Sequence, residues 1–359
     1  MTSGDGVGVT VERVELSDLG GWPGVLRRLY ARDHLRRAEA QAVMAAVLGG
    51  TATPAQIAGF IVALRMKGET VDELNGLLDA MLAEASLVEL DLDAAPVIDI
   101  VGSGGDGSQS INVSTLAAIV VAGAGGRVCK HGNRAASSRS GAADVLEQLG
   151  VALEVDPDVV ARCVGDAGVG FCFAPRFHPA MRHAGPPRRE LGVPTVFNYL
   201  GPIANPARVR RLVLGVGDPA MARPMAEVLA ARGAERVLVV HGDDGMDELT
   251  TTACSTVLEL AGGELRQWAL DPASLGLARS TREDLIVTGP EDAALAAKRV
   301  LGGEQGPQRD IVLLNAAAGL LVAGVVEDLV EGLERAAAAV DDGAAAVALE
   351  RLAATSQPG

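Results

Sequence analysis

Aromatic residues are almost missing from this chain of 359 residues: two Trp, two Tyr and five Phe make up 3% of it. Because 48% of the residues are hydrophobic, the core has to be built mainly from Ala, Val and Leu. The length suggests about two domains. Basic residues are outnumbered, 31 Lys and Arg against 46 Asp and Glu, for a formal net charge of -15. That balance excludes general binding to nucleic acid or to an anionic membrane, which needs basic surface. Any phosphate ligand must therefore be held by a local site. The four cysteines, Cys129, Cys163, Cys172 and Cys254, form no C-x-x-C pair and no metal-ligand spacing, as suits buried thiols in a reducing cytosol. Long apolar runs are also missing. Ile311–Val326 comes nearest, but it is short for a membrane span and contains Asn315, so it predicts a buried helix. The opening stretch Met1–Glu15 is acidic and has no apolar h-region, which excludes a secretory signal and leaves a cytoplasmic location as the expectation.

What is there falls into two patterns. Residues 1–18 read as a flexible tail. From 19 to 92 the apolar spacing is helical throughout, with Thr53-Pro54 opening one helix and a Thr70-x-x-Glu73 capping box opening the next. After Pro96 the pattern changes to alternating short apolar strands and helices. Strands are predicted at Val97–Val101, Arg127–His131, Val169–Ala174, around 211–216 and at Glu235–Gly242, with a late hairpin after Thr256. Strands apolar on both faces predict a mostly parallel sheet covered by helices. The fold class is α/β: a small all-α domain plus a larger α/β/α domain made of 96–175 and 209–355. The Pro-rich segment 176–208 interrupts the alternation and is expected to complete the helical domain.

The first predicted strand ends in Gly102, Gly104 and Gly107, a G-x-G-x-x-G match. A dinucleotide fingerprint also needs a helix opening inside the motif and an acidic residue ending the next strand. Here the predicted helix begins only near Thr115, and the next strand ends in Lys130-His131. The terminal G-K-[ST] of a P-loop is missing too. What remains is a long Gly/Ser/Asn loop whose backbone N–H groups can approach phosphate oxygens closely. Asn112, Ser114 and Thr115 add donors at the helix start, where the dipole favours an anion. A second polar loop, Lys130–Gly150, follows the next strand. Lysine otherwise occurs only at Lys67 and Lys298, and a compact ammonium at Lys130 suits either a phosphate oxygen or plain solvation. A third strand end carries Asp243, Asp244, Asp247 and Glu248. These carboxylates form either an acidic surface turn or a shelf for a hard cation bridging to phosphates. Three such loops on neighbouring strand ends favour a phosphorylated substrate chelated by Mg²⁺.

Together these loops resemble the anthranilate phosphoribosyltransferase family. The resemblance rests on Gly102-Ser103-Gly104-Gly105-Asp106, on Asn112-Val113-Ser114-Thr115, and on the run from Lys130 to Ser138. It is extended by Phe171–Gly192, Thr195–Ala207, the segment around Asp247-Glu248 and Asp310–Ala318. It covers nearly the whole chain from about 20 to 355. It implies a nucleoside-phosphorylase/phosphoribosyltransferase-like fold and a homodimer formed through the helical domain. The implied reaction transfers phosphoribose from 5-phosphoribosyl 1-pyrophosphate (PRPP) to the amino group of anthranilate, with Mg²⁺, in tryptophan biosynthesis. Carried over by position, Gly102, Gly104, Gly105, Asp106, Asn112, Ser114, Thr115, Lys130 and Ser137 would cradle PRPP. Ser114, Asp247 and Glu248 would serve Mg²⁺. Gly102, His131, Asn133, Ala174, Pro175, His178 and Arg188 would line the anthranilate seat, with Lys130, His131 and Arg188 taking part in catalysis. His131 is either a proton acceptor or a hydrogen-bonding wall; His183 is expected to be structural and His34 to lie on the surface.

The chain departs from the family pattern at Ser103, Gly185-Pro186-Pro187, Tyr199 and Ala204. The last three lie on the acceptor side. A paralogue using another aromatic acceptor, a pyrimidine nucleoside phosphorylase and a non-catalytic PRPP-binding regulator are the alternatives.

Overall fold

The computed structural model describes residues 14–135 and 138–357. Four helices open the chain: α1 (Gly21–Tyr30), α2 (Arg37–Leu48), α3 (Pro54–Lys67) and α4 (Val71–Ala83). Their starts follow local chemistry. Thr53 and Thr70 accept the N–H groups of Gln56 and Glu73, and both caps are reciprocated by the Gln56 and Glu73 side chains. The tail expectation for 14–18 is corrected. Leu16–Leu19 forms a 3-10 turn, and the partly buried Leu16 and Leu19 pack against the core that the four helices share; residues 1–13 lie outside the described residues.

The α/β region runs β1 (Ile98–Gly102), α5 (Val113–Gly123), β2 (Val128–Gly132), α6 (Ala142–Gln148), α7 (Pro157–Asp166) and β3 (Val169–Phe173). Three short helices follow, α8 (Ala174–Phe177), α9 (Gly185–Leu191) and α10 (Val196–Ile203). The chain then returns to the sheet as β4 (Arg211–Gly215), α11 (Ala222–Ala231), β5 (Arg236–Gly242) and the hairpin β6 (Ser255–Ala261) and β7 (Glu264–Leu270). Four C-terminal helices complete it: α12 (Pro290–Leu301), α13 (Pro307–Ala323), α14 (Leu329–Asp341) and α15 (Ala344–Ser356). The apolar run with Asn315 is the buried α13, as expected.

The sheet order is β3-β2-β1-β4-β5-β6-β7. β1 to β5 are parallel and the late hairpin adds two antiparallel strands. Successive residues alternate between the faces. Ile98, Ile100, Val213 and Leu238 join a core with α5, α13 and α15. Val101, Leu212, Leu214 and Val239 join a second core that is continuous with α1 to α4. The helical module and the sheet therefore share one apolar interior. The segment α8 to α10 contributes Phe177, Val196, Phe197 and Leu200 to that same interior. Building outward from β1 through β3 and then restarting at β4 on the other side makes the β1/β4 boundary a topological switch point. Open α/β sheets place ligands at the carboxyl ends of strands at such a point.

Close helix packing depends on Gly76 of α4. A Cβ there would overlap the Arg37 carbonyl of α2 and stand 2.9 Å from the Ala40 Cβ. Alanine gains about 1 kcal/mol over glycine in a helix interior, but overpacking costs about 1–3 kcal/mol. Gly76→Ala is expected to lower stability in urea unfolding by up to about 2 kcal/mol net; a raised midpoint would mean that α2 yields without cost.

Candidate active site

Two glycines at the switch point let one loop cross over two strands. At the end of β4, a Cβ on Gly215 would overlap the Asp247 carbonyl, and at the end of β1, a Cβ on Gly102 would overlap the Asp247 carboxylate. With both Cβ atoms missing, the loop after β5 lies across the ends of β4 and β1. This corrects the expectation that the three polar loops sit on neighbouring strands, because β4 stands between β1 and β5. Gly215 was not singled out in the sequence. A Gly-x-Gly-Asp pattern directly after a strand was its only available signal.

The crossing brings the acidic segment to the glycine loop. Gly104, held at φ 68°, donates its N–H to Asp247 Oδ2 at 2.6 Å. The Ser114 N–H, in the first turn of α5, donates to Glu248 Oε1 at 3.3 Å. That helix starts at Val113 with Asn112 as its cap residue, two residues earlier than the sequence suggests. Asn112 does not cap with its side chain; its Nδ2 reaches the Ser140 carbonyl at 3.0 Å and ties the first loop to the second. Asn315 of α13 pins the acidic segment from behind. Its Oδ1 accepts the Leu249 N–H at 3.0 Å and its Nδ2 donates to the Leu249 carbonyl at 2.8 Å.

The acidic turn divides into two kinds of residue. Asp244 accepts from Thr250 Oγ1 at 2.9 Å and from the Met246 N–H, so it shapes the turn. Asp247 is buried, and burial together with the nearby Asp106 pushes its carboxyl up to about 7. Burial and Asp247 push Glu248 well above the usual carboxylate range. Lys130 is buried beside them, donating to the Ile100 carbonyl and to Ser114 Oγ. Burial lowers its pKa, while Asp99, Glu248 and Asp247 oppose that shift. One ammonium does not neutralise this set of carboxylates. The oxygen donors and the uncompensated charge fit a hard divalent cation. Mg²⁺ usually takes only one or two protein carboxylates, which Asp247 and Glu248 could supply, and completes its shell with water and substrate phosphates.

On the other side of β2, His131 and His178 stand with ring centroids 5.1 Å apart. Carbonyl oxygens fix both tautomers: His131 Nδ1 faces the Gly201 carbonyl at 3.0 Å, and His178 Nε2 faces the Ala204 carbonyl at 2.9 Å. A carbonyl only accepts, so those nitrogens carry the protons and His131 Nε2 keeps a lone pair. Burial and His178 push His131 down to about 3, and burial lowers His178. Beneath them lies a group the sequence reading missed. Asp99 of β1, fully buried, accepts the His131 N–H and the Asn205 amide, and Asn205 also donates to the Cys129 carbonyl. An acidic residue inside an apolar strand was the available signal.

Arg188 of α9 is half-buried with its guanidinium 5.1 Å from the Phe197 ring centre. No carboxylate pairs with it among the described residues, and burial lowers its pKa. The structure does not link every candidate residue. Asn133 is exposed and its Oδ1 accepts the Arg134 N–H. Ala174 and Pro175 open α8 without a polar contact of their own. Ser137 lies outside the described residues. His34 is exposed, and the His183 ring packs against Gly50. Nine buried side-chain polar atoms lack a partner among the described residues, and five of them belong to Asn112, Thr115, His131, Ser140 and His178. Buried polar groups are normally paired, so this concentration marks where ligand atoms belong.

Residues 23–85 match the helical bundle domain of a glycosyl transferase family and residues 94–346 match its a/b domain. The anthranilate phosphoribosyltransferase of Thermomicrobium roseum is 53% identical over 331 residues, 91% of this chain and 95% of its own. This chain belongs to the anthranilate phosphoribosyltransferase family. The enzyme of Salinispora arenicola is 52% identical over 336 residues, 92% of this chain and 95% of its own. The Thermus thermophilus enzyme structure superposes with a TM-score of 0.86 at 44% identity, covering 93% of this chain and 99% of its own. A Saccharomyces cerevisiae family member, solved in complex with PRPP and Mg, gives a TM-score of 0.86 at 29% identity, covering 93% and 97%.

Two outcomes follow from this geometry. Asn315→Leu leaves the Leu249 N–H and carbonyl unpaired and frees the acidic segment; Mg²⁺ affinity by calorimetry is expected to fall about tenfold, with the circular dichroism spectrum retained. Equal affinity would mean the loop holds itself. Asp99 is pushed up to about 6 by burial, and Asp247 to about 7, whereas an unfolded Asp titrates near ~4. Raised carboxyls bind protons in the native state that the unfolded chain has released. Metal-free stability is therefore expected to fall as pH rises from about 4 to about 7. Asp99→Asn should flatten the lower part of that slope in denaturant melts; an unchanged slope would remove Asp99 as a source.

Proposed function

We propose that the protein transfers phosphoribose from PRPP to the amino group of anthranilate, releasing pyrophosphate, in L-tryptophan biosynthesis. The observation that carries this is the meeting of Asp247 and Glu248 with the glycine loop and Ser114 at the switch point. Gly102, Gly104, Gly105, Asp106, Asn112, Ser114, Thr115, Lys130 and Ser137 hold the donor in this reading, and Ser114, Asp247 and Glu248 serve Mg²⁺. When bound, Mg²⁺ offsets the negative charge of the departing pyrophosphate.

The chain's own residues supply the rest. As the bond from the anomeric carbon to pyrophosphate breaks, positive charge builds on the ribose and negative charge on the leaving oxygen. The buried Lys130 ammonium stabilises that oxygen in a site where little water screens it. Arg188, which no carboxylate among the described residues engages, pairs with the anthranilate carboxylate through its planar fork. The His131 Nε2 lone pair accepts a hydrogen bond from the anthranilate amine and aims the nitrogen at the anomeric carbon. A ring held to about 3 is a poor proton store, so His131 orients the amine, and positioning supplies much of the rate. The amine proton passes to solvent after the new bond forms. Asn133, Ala174, Pro175 and His178 complete the seat.

A homodimer through the helical domain is part of the same proposal. It is supported by the exposed Tyr30 on α1 and Val62 and Met66 on α3, large apolar groups on two helices that pack together. A cytoplasmic location is supported by the free cysteines and by the fact that no helix among the described residues is long and apolar enough to cross a membrane.

The deciding assay follows pyrophosphate release from PRPP with Mg²⁺ alongside the loss of anthranilate fluorescence. Equal rates support the proposal; donor binding without anthranilate consumption moves the acceptor to another aromatic amine or acid. Arg188→Ala is expected to raise the anthranilate KM about a hundredfold or more, from the loss of a bidentate charged pair, with the PRPP KM little changed. An equal rise in both would argue against carboxylate recognition. In sedimentation, Met66→Glu is expected to shift a dimer toward monomer, and a wild-type monomer would overturn that part.

A further inference from the structure

The glycine loop has little around it to fix its shape. Gly104, Gly105 and Gly107 all take positive φ, and a Cβ on any of them would meet nothing within 4 Å. Glycine loses more backbone freedom on ordering than any other residue. A loop of this kind therefore binds a ligand tightly only if something orders it beforehand. The turn after β4 supplies that order. Ser103 donates its N–H to the Gly215 carbonyl at 2.9 Å, and its hydroxyl accepts the Gly217 N–H at 3.0 Å. Gly217 lies against the loop: a Cβ there would stand 3.7 Å from the Gly104 carbonyl oxygen and 3.8 Å from the Asp106 Cα. The next residue, Asp218, uses both carboxylate oxygens. Its Oδ1 accepts the Ala220 N–H at 3.1 Å, which fixes the turn into α11. Its Oδ2 accepts from the Arg65 guanidinium of α3 and, at 3.4 Å, from the Tyr199 hydroxyl. Arg65 is itself held, paired with the buried carboxyl of Glu69 at 3.2 Å and lying over the Tyr199 ring.

We propose that Arg65 and Asp218 are positioning residues for the donor: through Gly217 and Ser103 they hold the glycine loop in the shape that receives PRPP. The proposal rests on the reading of that loop as the PRPP cradle. The two side chains act through the backbone, without touching the donor. Gly104, which follows Ser103, donates its N–H to Asp247, so the same run of contacts ends at a carboxylate assigned to Mg²⁺. The helical module thereby takes part in donor binding although it carries none of the cradle residues. Folding stability is not a sufficient reason for the pair. The side chains are 35% and 33% exposed, and ion pairs that open to solvent add little to stability.

The test is calorimetric titration of the full chain with PRPP and Mg²⁺, without an acceptor, run as a double-mutant cycle. Asp218→Asn keeps an oxygen for the Ala220 N–H but removes the charge that holds Arg65. Ser103→Ala removes the hydroxyl that holds Gly217. Each is expected to weaken PRPP binding about fivefold. The double variant is expected to lose about fivefold as well, not the roughly twenty-fivefold that independent effects would give. Arg65→Lys keeps a charge beside Glu69 but not the fork that spans both carboxylates, and it should match Asp218→Asn. In steady-state assays of these variants the PRPP KM is expected to rise while the anthranilate KM stays within about twofold; a general loosening would raise both. Retained melting temperatures check that each variant folds. Wild-type affinity in both Asp218→Asn and Arg65→Lys, a roughly twenty-fivefold loss in the double variant, or an equal rise in the two KM values would overturn the proposal and leave the donor reading in place. A wild-type chain that binds no PRPP would overturn the donor reading, and the proposal with it.

Discussion

The site depends on a backbone crossing that only two glycines permit. Carboxylates seldom lie against a phosphate-binding loop, because their charges oppose the ligand. Here the loop after β5 passes through the space that side chains on Gly102 and Gly215 would occupy. Asp247 and Glu248 are thereby delivered into the cradle, and Asn315 holds them there from the opposite side. A buried acidic pair raises its own ionisation cost. That cost is offset only when positive charge is supplied, by Lys130 and by a cation bound together with the donor. The steric fact at two Cα atoms thus sets the electrostatics of the whole site.

The shared core explains how the helical module and the acceptor side relate. Val101, Leu214 and Val239 on the sheet pack into the same interior as the α1 to α4 bundle and the α10 helix. Through α10 and the segment after it, the carbonyls of Gly201 and Ala204 reach the two histidines. Arg65 of α3 adds a polar tie, pairing with Asp218 beyond β4 while its guanidinium lies over Tyr199. Tyr199, one of the departures from the family pattern, thereby has a local physical reason: it fills a contact between an arginine and an aspartate.

Much of this was legible in the sequence. The change from 3.6-residue spacing to short apolar runs marked the two architectures, and the late hairpin followed from its turn glycines. The glycine loop, Lys130 and the Asp247-Glu248 pair were legible because their types are unusual at strand ends. Other parts were hidden because they depend on strand order. The placement of β4 between β1 and β5, and hence the role of Gly215, is set by packing of distant segments. Asp99 and Asn205 meet only when the 174–208 segment folds onto the end of β1. Arg188 could be named from the motif, but that no described carboxylate pairs with it is a property of the folded surroundings.

The two neutral histidines have a consequence for the chemistry of the acceptor side. A ring held to about 3 does not change charge near neutrality, and burial favours the neutral form of its neighbour. The electrostatic field over that half of the cleft is then set by Arg188, whose charge is permanent at neutral pH. Protons therefore act on the cleft through its buried carboxyls, Asp247 beside the glycine loop and Asp99 beneath the histidines, which burial pushes up to about 7 and about 6.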